Sequence, residues 1–207
     1  MTADQDWLCG AARAVETDPE TIRTVFPVAG RRVGRAPLEP ATDQHGLVHG
    51  TTDDAARARL IDAMSGAVDP DRLTDLLIWL YRNGGAAERR GVLRGLSALA
   101  ERRPHRLTGL VVPAGVALCE DALRSNDPRL VAAAVGPFAG QYLGAHGWRH
   151  AVLKCLFLGV PTAVIARLPQ RADAELARMV DGYVAERRAA GRAVPDDARA
   201  LTSRQLI

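Results

Sequence analysis

Aromatic residues make up 4% of this 207-residue chain, too few to pack a β-sandwich. The interior must be built from Leu, Val and Ala, which favours close helix–helix contacts. Lysine is nearly absent: of the 27 basic residues one is lysine, Lys154, and the other 26 are arginine. The three cysteines, Cys9, Cys119 and Cys155, are odd in number, far apart and without CxxC spacing. That excludes a disulfide framework and a cysteine metal site, and it fits a reducing cytoplasm. No apolar run approaches the ~20 residues of a membrane helix, so direct membrane insertion is not expected. The first residues, Met1-Thr2-Ala3-Asp4-Gln5-Asp6, are acidic where a secretory signal is basic, and a cytoplasmic location is expected.

The basic excess is small. Formal net charge is +3, and arginines alternate with acids along helices, as in Ala87-Glu88-Arg89-Arg90 and Ala185-Glu186-Arg187-Arg188. A nucleic-acid partner is not expected, because a basic stripe interleaved with stacking aromatics is missing.

What is present is helical periodicity. Trp7, Leu8, Ala11, Ala12 and Val15 recur at helical spacing, and Asp18-Pro19, Asp69-Pro70 and Asp127-Pro128 each join an N-cap to a proline in the first helical turn. The helix after Asp18 is expected to stop before Pro27. Thr52-Asp53-Asp54 opens an acidic helix start with Ala56, Leu60, Ile61 and Met64 on one face. Leu73, Leu76, Leu77, Leu80 and Tyr81 follow, closed at Asn83-Gly84-Gly85, and then Val92, Leu93, Leu96 and Leu99. Pro113 and Pro137 are expected to kink or divide the helices around them. The last long helix places Leu176, Met179, Val180 and Tyr183 inward and Glu186, Arg187 and Arg188 outward.

The expected architecture is all-α: one domain over residues 1–207, with about 8–10 helices in a HEAT- or armadillo-like array of antiparallel hairpins. Residues 28–50 read as a long irregular loop, and 194–207 as a mobile tail. Within the loop, Gly30-Arg31-Arg32-Val33-Gly34-Arg35 sets Arg31, Arg32 and Arg35 between glycines. Such a segment can hold a phosphate or carboxylate, or can strap the helices.

The most apolar stretch, Trp148 to Pro161, reads as a core helix with one polar line at a four-residue step: His146, His150 and Lys154. Two histidines one turn apart can share a metal, but no carboxylate or thiolate completes a set, so no metal and no cofactor is assigned. Lys154, between Leu153 and Cys155, calls for a carboxylate partner, with Glu120, Asp121 and Asp173 as candidates, or for an anionic ligand. Ser65, Ser97, Ser125 and Ser203 lack a nucleophile elbow, and Cys155 lies in an apolar run that makes a thiol inert. No catalytic residue is assigned. The candidates for ligand or partner binding are His146, Trp148, Arg149, His150, Lys154, Glu120, Arg31, Arg32 and Arg35.

Three blocks together resemble the EboA family: Cys119 to Asp127, Trp148-Arg149-His150-Ala151-Val152-Leu153-Lys154-Cys155 through Pro161, and Arg171 to Met179. Phe26-Pro27, Gly30 to Arg35 and Gly85 to Arg90 are similar as well. The resemblance implies a part in moving or processing secondary-metabolite precursors toward the cell envelope. It also implies companions: a UbiA-like membrane prenyltransferase and enzymes resembling sugar-phosphate cyclases and metal-dependent hydrolases. It brings no catalytic residues. Two readings follow. One is a non-enzymatic cytoplasmic helical adaptor; the other is a binding protein or enzyme that takes an anionic small metabolite in a pocket around His150 and Lys154.

Overall fold

The computed structural model of the chain describes residues 3–202. Among these the regular structure is helical, with no strand beyond an isolated bridge between Pro37 and Thr51. The α-helices are α1 (Ala3–Thr17), α2 (Ile22–Arg32), α3 (Thr52–Ala67), α4 (Pro70–Asn83), α5 (Ala86–Arg102), α6 (Val111–Leu123), α7 (Pro128–Ala133), α8 (Pro137–Tyr142), α9 (Ala145–Leu158), α10 (Leu168–Arg171), α11 (Ala174–Ala189) and α12 (Asp196–Ala200). Twelve exceeds the expected number because α7, α8, α10 and α12 are pieces of four to six residues, too short to show a period. The aspartates before proline act as read. Asp18, Asp69 and Asp127 accept the amides of Glu20, Arg72 and Arg129 at 3.1, 2.8 and 2.9 Å.

The helices follow one another in alternation: α1 packs on α3, α3 on α5, α5 on α7, α7 on α9 and α9 on α11, while α4 packs on α6 and α6 on α8. The centre is α5, which also meets α4, α6 and α8. Its closeness to α3 has a sequence cause. Gly91 and Gly95, one turn apart, leave room for Arg57 and Ile61 of α3 where a Cβ would collide. Leu60, Ile61, Met64, Leu93 and Leu96 are wholly or almost wholly buried at this crossing, each contributing about 1.5–3 kcal/mol of burial.

Proline placement departs from expectation twice. Pro27 lies inside α2, which runs on to Arg32. Its ring is exposed, so the break in the ladder falls on the solvent-facing side of the helix, where it costs least. Pro113 lies in the first turn of α6, where its missing N–H would be unsatisfied in any case. The irregular segment therefore begins at Val33, and it is an organised strap. The Asp43 carboxylate accepts the amides of Leu47, Val48 and His49, each at 2.8 Å. Arg94 of α5 donates to the Val48 and Leu47 carbonyls at 3.1 and 2.6 Å. At the other end, the stretch expected to be a mobile tail carries α12 with Ala198 fully buried, and Thr162 N–H donates to Asp197 at 2.8 Å. Residues 203–207, Ser203 among them, lie outside the described residues.

Candidate functional site

The histidine line exists, with different partners from those expected. His146 belongs to the first turn of α9, and its ring centroid lies 4.4 Å from that of His150, both rings exposed. Lys154 Nζ donates to Asn126 Oδ1 at 2.7 Å, which corrects the expected carboxylate pair. Each proposed acid is elsewhere. Asp173 holds Arg149 through both oxygens, at 3.0 and 2.6 Å; Asp121 accepts the Tyr81 hydroxyl at 3.0 Å; Glu120 is exposed. The bond to Arg149, with the Leu176 amide, holds the Asp173 carboxyl below its usual value. Trp148, a candidate for binding, is 1% exposed with Arg171 stacked 4.7 Å from its ring, and it has no surface to offer a partner. Cys119 and Cys155 are buried, and burial pushes both thiols up to about 12.

The second place is the strap end. Arg31 and Arg32 finish α2 exposed, and Arg35 faces an open groove of about 390 Å³ with Ala86, Ala87 and Arg129. Asp127 lines the same groove and follows the Asn126 that holds Lys154. Arg35 and Lys154 thus both reach the turn at Asn126 and Asp127, but Lys154, Arg31 and Arg32 do not line the groove.

Beneath this groove lies a buried charge network that the alternating charges of α3 and α5 concealed. Arg57, fully buried, donates from Nη1 to Asp53 at 2.5 Å, from Nη2 to Glu88 at 2.8 Å and from Nε to the Phe26 carbonyl at 3.2 Å. Arg90 Nε donates to both Asp54 oxygens, at 2.7 and 2.9 Å, and its Nη2 to Thr51 at 3.2 Å. Asp53 and Asp54, read as a helix start, are thus interior. Burial resists ionisation of Asp53, but hydrogen bonds from Thr51 and Arg57 and the charges of Arg57 and Arg90 outweigh it and hold its carboxyl below the usual value.

The third place was not among the sequence candidates. Tyr81 and Arg82 of α4, Arg89 of α5, and Ala117, Leu118, Asp121 and the adjoining Arg124 of α6 line a cavity of about 380 Å³. Arg89 Nε donates to the Gly84 carbonyl at 3.2 Å, and its guanidinium lies 5.3 Å from the Tyr81 ring. Arg124 approaches Asp121 only to 3.7 Å, beyond hydrogen-bond range. The signal in sequence was weak: Arg82 and Arg89 are seven apart, but on separate helices, and only the Gly84-Gly85 turn brings them to one side.

The fold and these sites define an all-helical protein with open, arginine-lined grooves. Over residues 114–202 the chain matches the EboA family model, described as metabolite traffic protein EboA. The matched span contains the blocks at Cys119 to Asp127, Trp148 to Pro161 and Arg171 to Met179, and it contributes α6 to the arginine cavity. No curated protein and no solved structure matches the chain. Among the described residues no helix is long and apolar enough to cross a membrane, and no group of three or more His, Cys, Asp or Glu is placed to hold a metal ion.

Proposed function

We propose that the protein acts in metabolite traffic as a non-enzymatic, cytoplasmic helical adaptor. It holds a partner protein or a metabolite while secondary-metabolite precursors pass toward the envelope. The observation that carries this reading is the state of the side chains able to do chemistry. Lys154 is spent on an amide and two thiols are buried with raised pKa values, whereas among the described residues the side chains of Arg35, Arg82 and Arg129 carry no hydrogen bond or ion pair and line open cavities. Such groups bind anions; they do not activate a nucleophile. The alternating packing of successive helices supports a HEAT-like stack, an architecture that builds extended binding surfaces.

The companions in this reading are the UbiA-like prenyltransferase and the cyclase-like and hydrolase-like enzymes. Native mass spectrometry of protein purified gently from its own cells tests it, with a stoichiometric complex containing one of these companions as the expected result. Turnover of a phosphorylated or cyclitol-like metabolite by the isolated protein would contradict it. The alternative pocket at His150 and Lys154 has less support, because both histidine rings stand in solvent and Lys154 is held by Asn126.

A further inference from the structure

We propose that the cavity between α4, α5 and α6 is a binding site for a small metabolite bearing a phosphate monoester, held by Arg82, Arg89 and Arg124. This rests on the reading above, in its form of an adaptor that holds a metabolite, and gives that metabolite a chemical class. The local charge is the starting point. Three guanidiniums face one carboxylate, Asp121, so the lining carries a surplus of two positive charges, while the whole chain carries only three. Elsewhere the fold neutralises its buried arginines: Arg57 and Arg90 are met by Asp53, Asp54 and Glu88. Here neutralisation is left open. Among the described residues the Arg82 side chain has no hydrogen bond or ion pair, Arg124 makes only a long ion pair with Asp121 at 3.7 Å, and the terminal nitrogens of Arg89 have no hydrogen-bond partner.

The missing charge matches a phosphate monoester, which carries about −1.5 to −2 at neutral pH and offers three acceptor oxygens to guanidinium forks. Arg89 is already oriented, because its Nε bond to Gly84 and its stacking on Tyr81 fix the plane of the guanidinium. Tyr81 in turn is fixed by its hydroxyl bond to Asp121. Ala117 and Leu118 supply an apolar wall for a carbon skeleton. The volume, about 380 Å³, falls within the roughly 300–1,000 Å³ typical of small-molecule sites. A single carboxylate ligand would leave one surplus charge unmet. A stacked base has no free aromatic face, since Arg89 covers Tyr81.

Isothermal titration calorimetry with glycerol 3-phosphate, against glycerol, tests the proposal. The expected result is saturable one-site binding of glycerol 3-phosphate, none of glycerol, and at least a tenfold loss of affinity in the double variant Arg82→Gln/Arg124→Gln. Both side chains are exposed, so that variant should keep its melting temperature. Arg35→Gln/Arg129→Gln, in the neighbouring groove, should bind as the unaltered protein does. Absence of saturable binding, or binding that survives Arg82→Gln/Arg124→Gln, overturns the proposal. A co-purifying companion without phosphate binding would sink this site and leave the adaptor reading standing; phosphate binding accompanied by turnover would do the reverse.

Discussion

Arg89 and Arg90 are neighbours on α5 and live in opposite circumstances. Arg90 points into the α3–α5 crossing, where Asp53, Asp54 and Glu88 face Arg57, Arg90 and the nearby Arg94 in equal numbers. Arg89 points into a cavity where guanidiniums outnumber carboxylates by three to one. One helical step of about 100° separates a spent charge from an available one. The buried set fixes how α3 crosses α5; the open set is left to bind something else. An arginine's type and sequence neighbours therefore say little about its work, and its local charge balance says more.

The largest expected effect is on the buried side. Arg57→Met should cost about 3–5 kcal/mol of stability by denaturant unfolding, because it strands Asp53 and Glu88 without their shared cation. It should leave glycerol 3-phosphate affinity unchanged if the variant is assayed while folded. A loss well under 1 kcal/mol would erase the distinction between the two sets.

Acid should separate them next. Asp53 is held below its ordinary value as described above; Asp43 is as well, where burial is outweighed by the amides of His49, Leu47 and Val48. Their contribution is complete above the unfolded carboxyl value near ~4 and is lost as pH falls through the lower folded value. Hydrogen exchange at descending pH should therefore show α3 and the strap losing protection below about pH 4, ahead of α6, whose cavity holds neither carboxylate. Simultaneous loss in α6 would break the contrast.

A smaller effect sharpens the open side. Asp121→Asn raises the cavity surplus from two charges to three and should tighten glycerol 3-phosphate binding severalfold by calorimetry. The stability change should stay within about 1 kcal/mol, because the amide oxygen can still accept from Tyr81. Smallest of all, Lys154→Ala loses one exposed bond to Asn126, so unfolding should shift by no more than about 1 kcal/mol, with phosphate affinity unaltered.

The apolar architecture was legible in the sequence because its signal is periodic. The buried faces of α3, α4, α5 and α11 and the Asp-Pro starts follow from spacing and cap chemistry. The charged interior was not legible: Asp53-Asp54 and Glu88-Arg89-Arg90 look like ordinary exposed helix residues, and only Gly91 and Gly95, by drawing α3 close, put them inside. Pro27 and Pro113 misled because proline's cost depends on whether the lost bond faces solvent or falls in a first turn. Lys154 was recognised as unusual, but its acceptor, Asn126, lies 28 residues away on a turn that no local pattern connects to α9. The arginine cavity needed three helices to assemble.

In the proposal made above, the unspent arginines between α4, α5 and α6, not the α9 stripe, form the ligand site. Backbone amide NMR during titration with glycerol 3-phosphate tests it most directly. Saturating shifts should cluster at residues 81–89 and 117–124, with His146 to Lys154 unmoved. Shifts centred on His150 and Lys154, with the cavity silent, would contradict the claim.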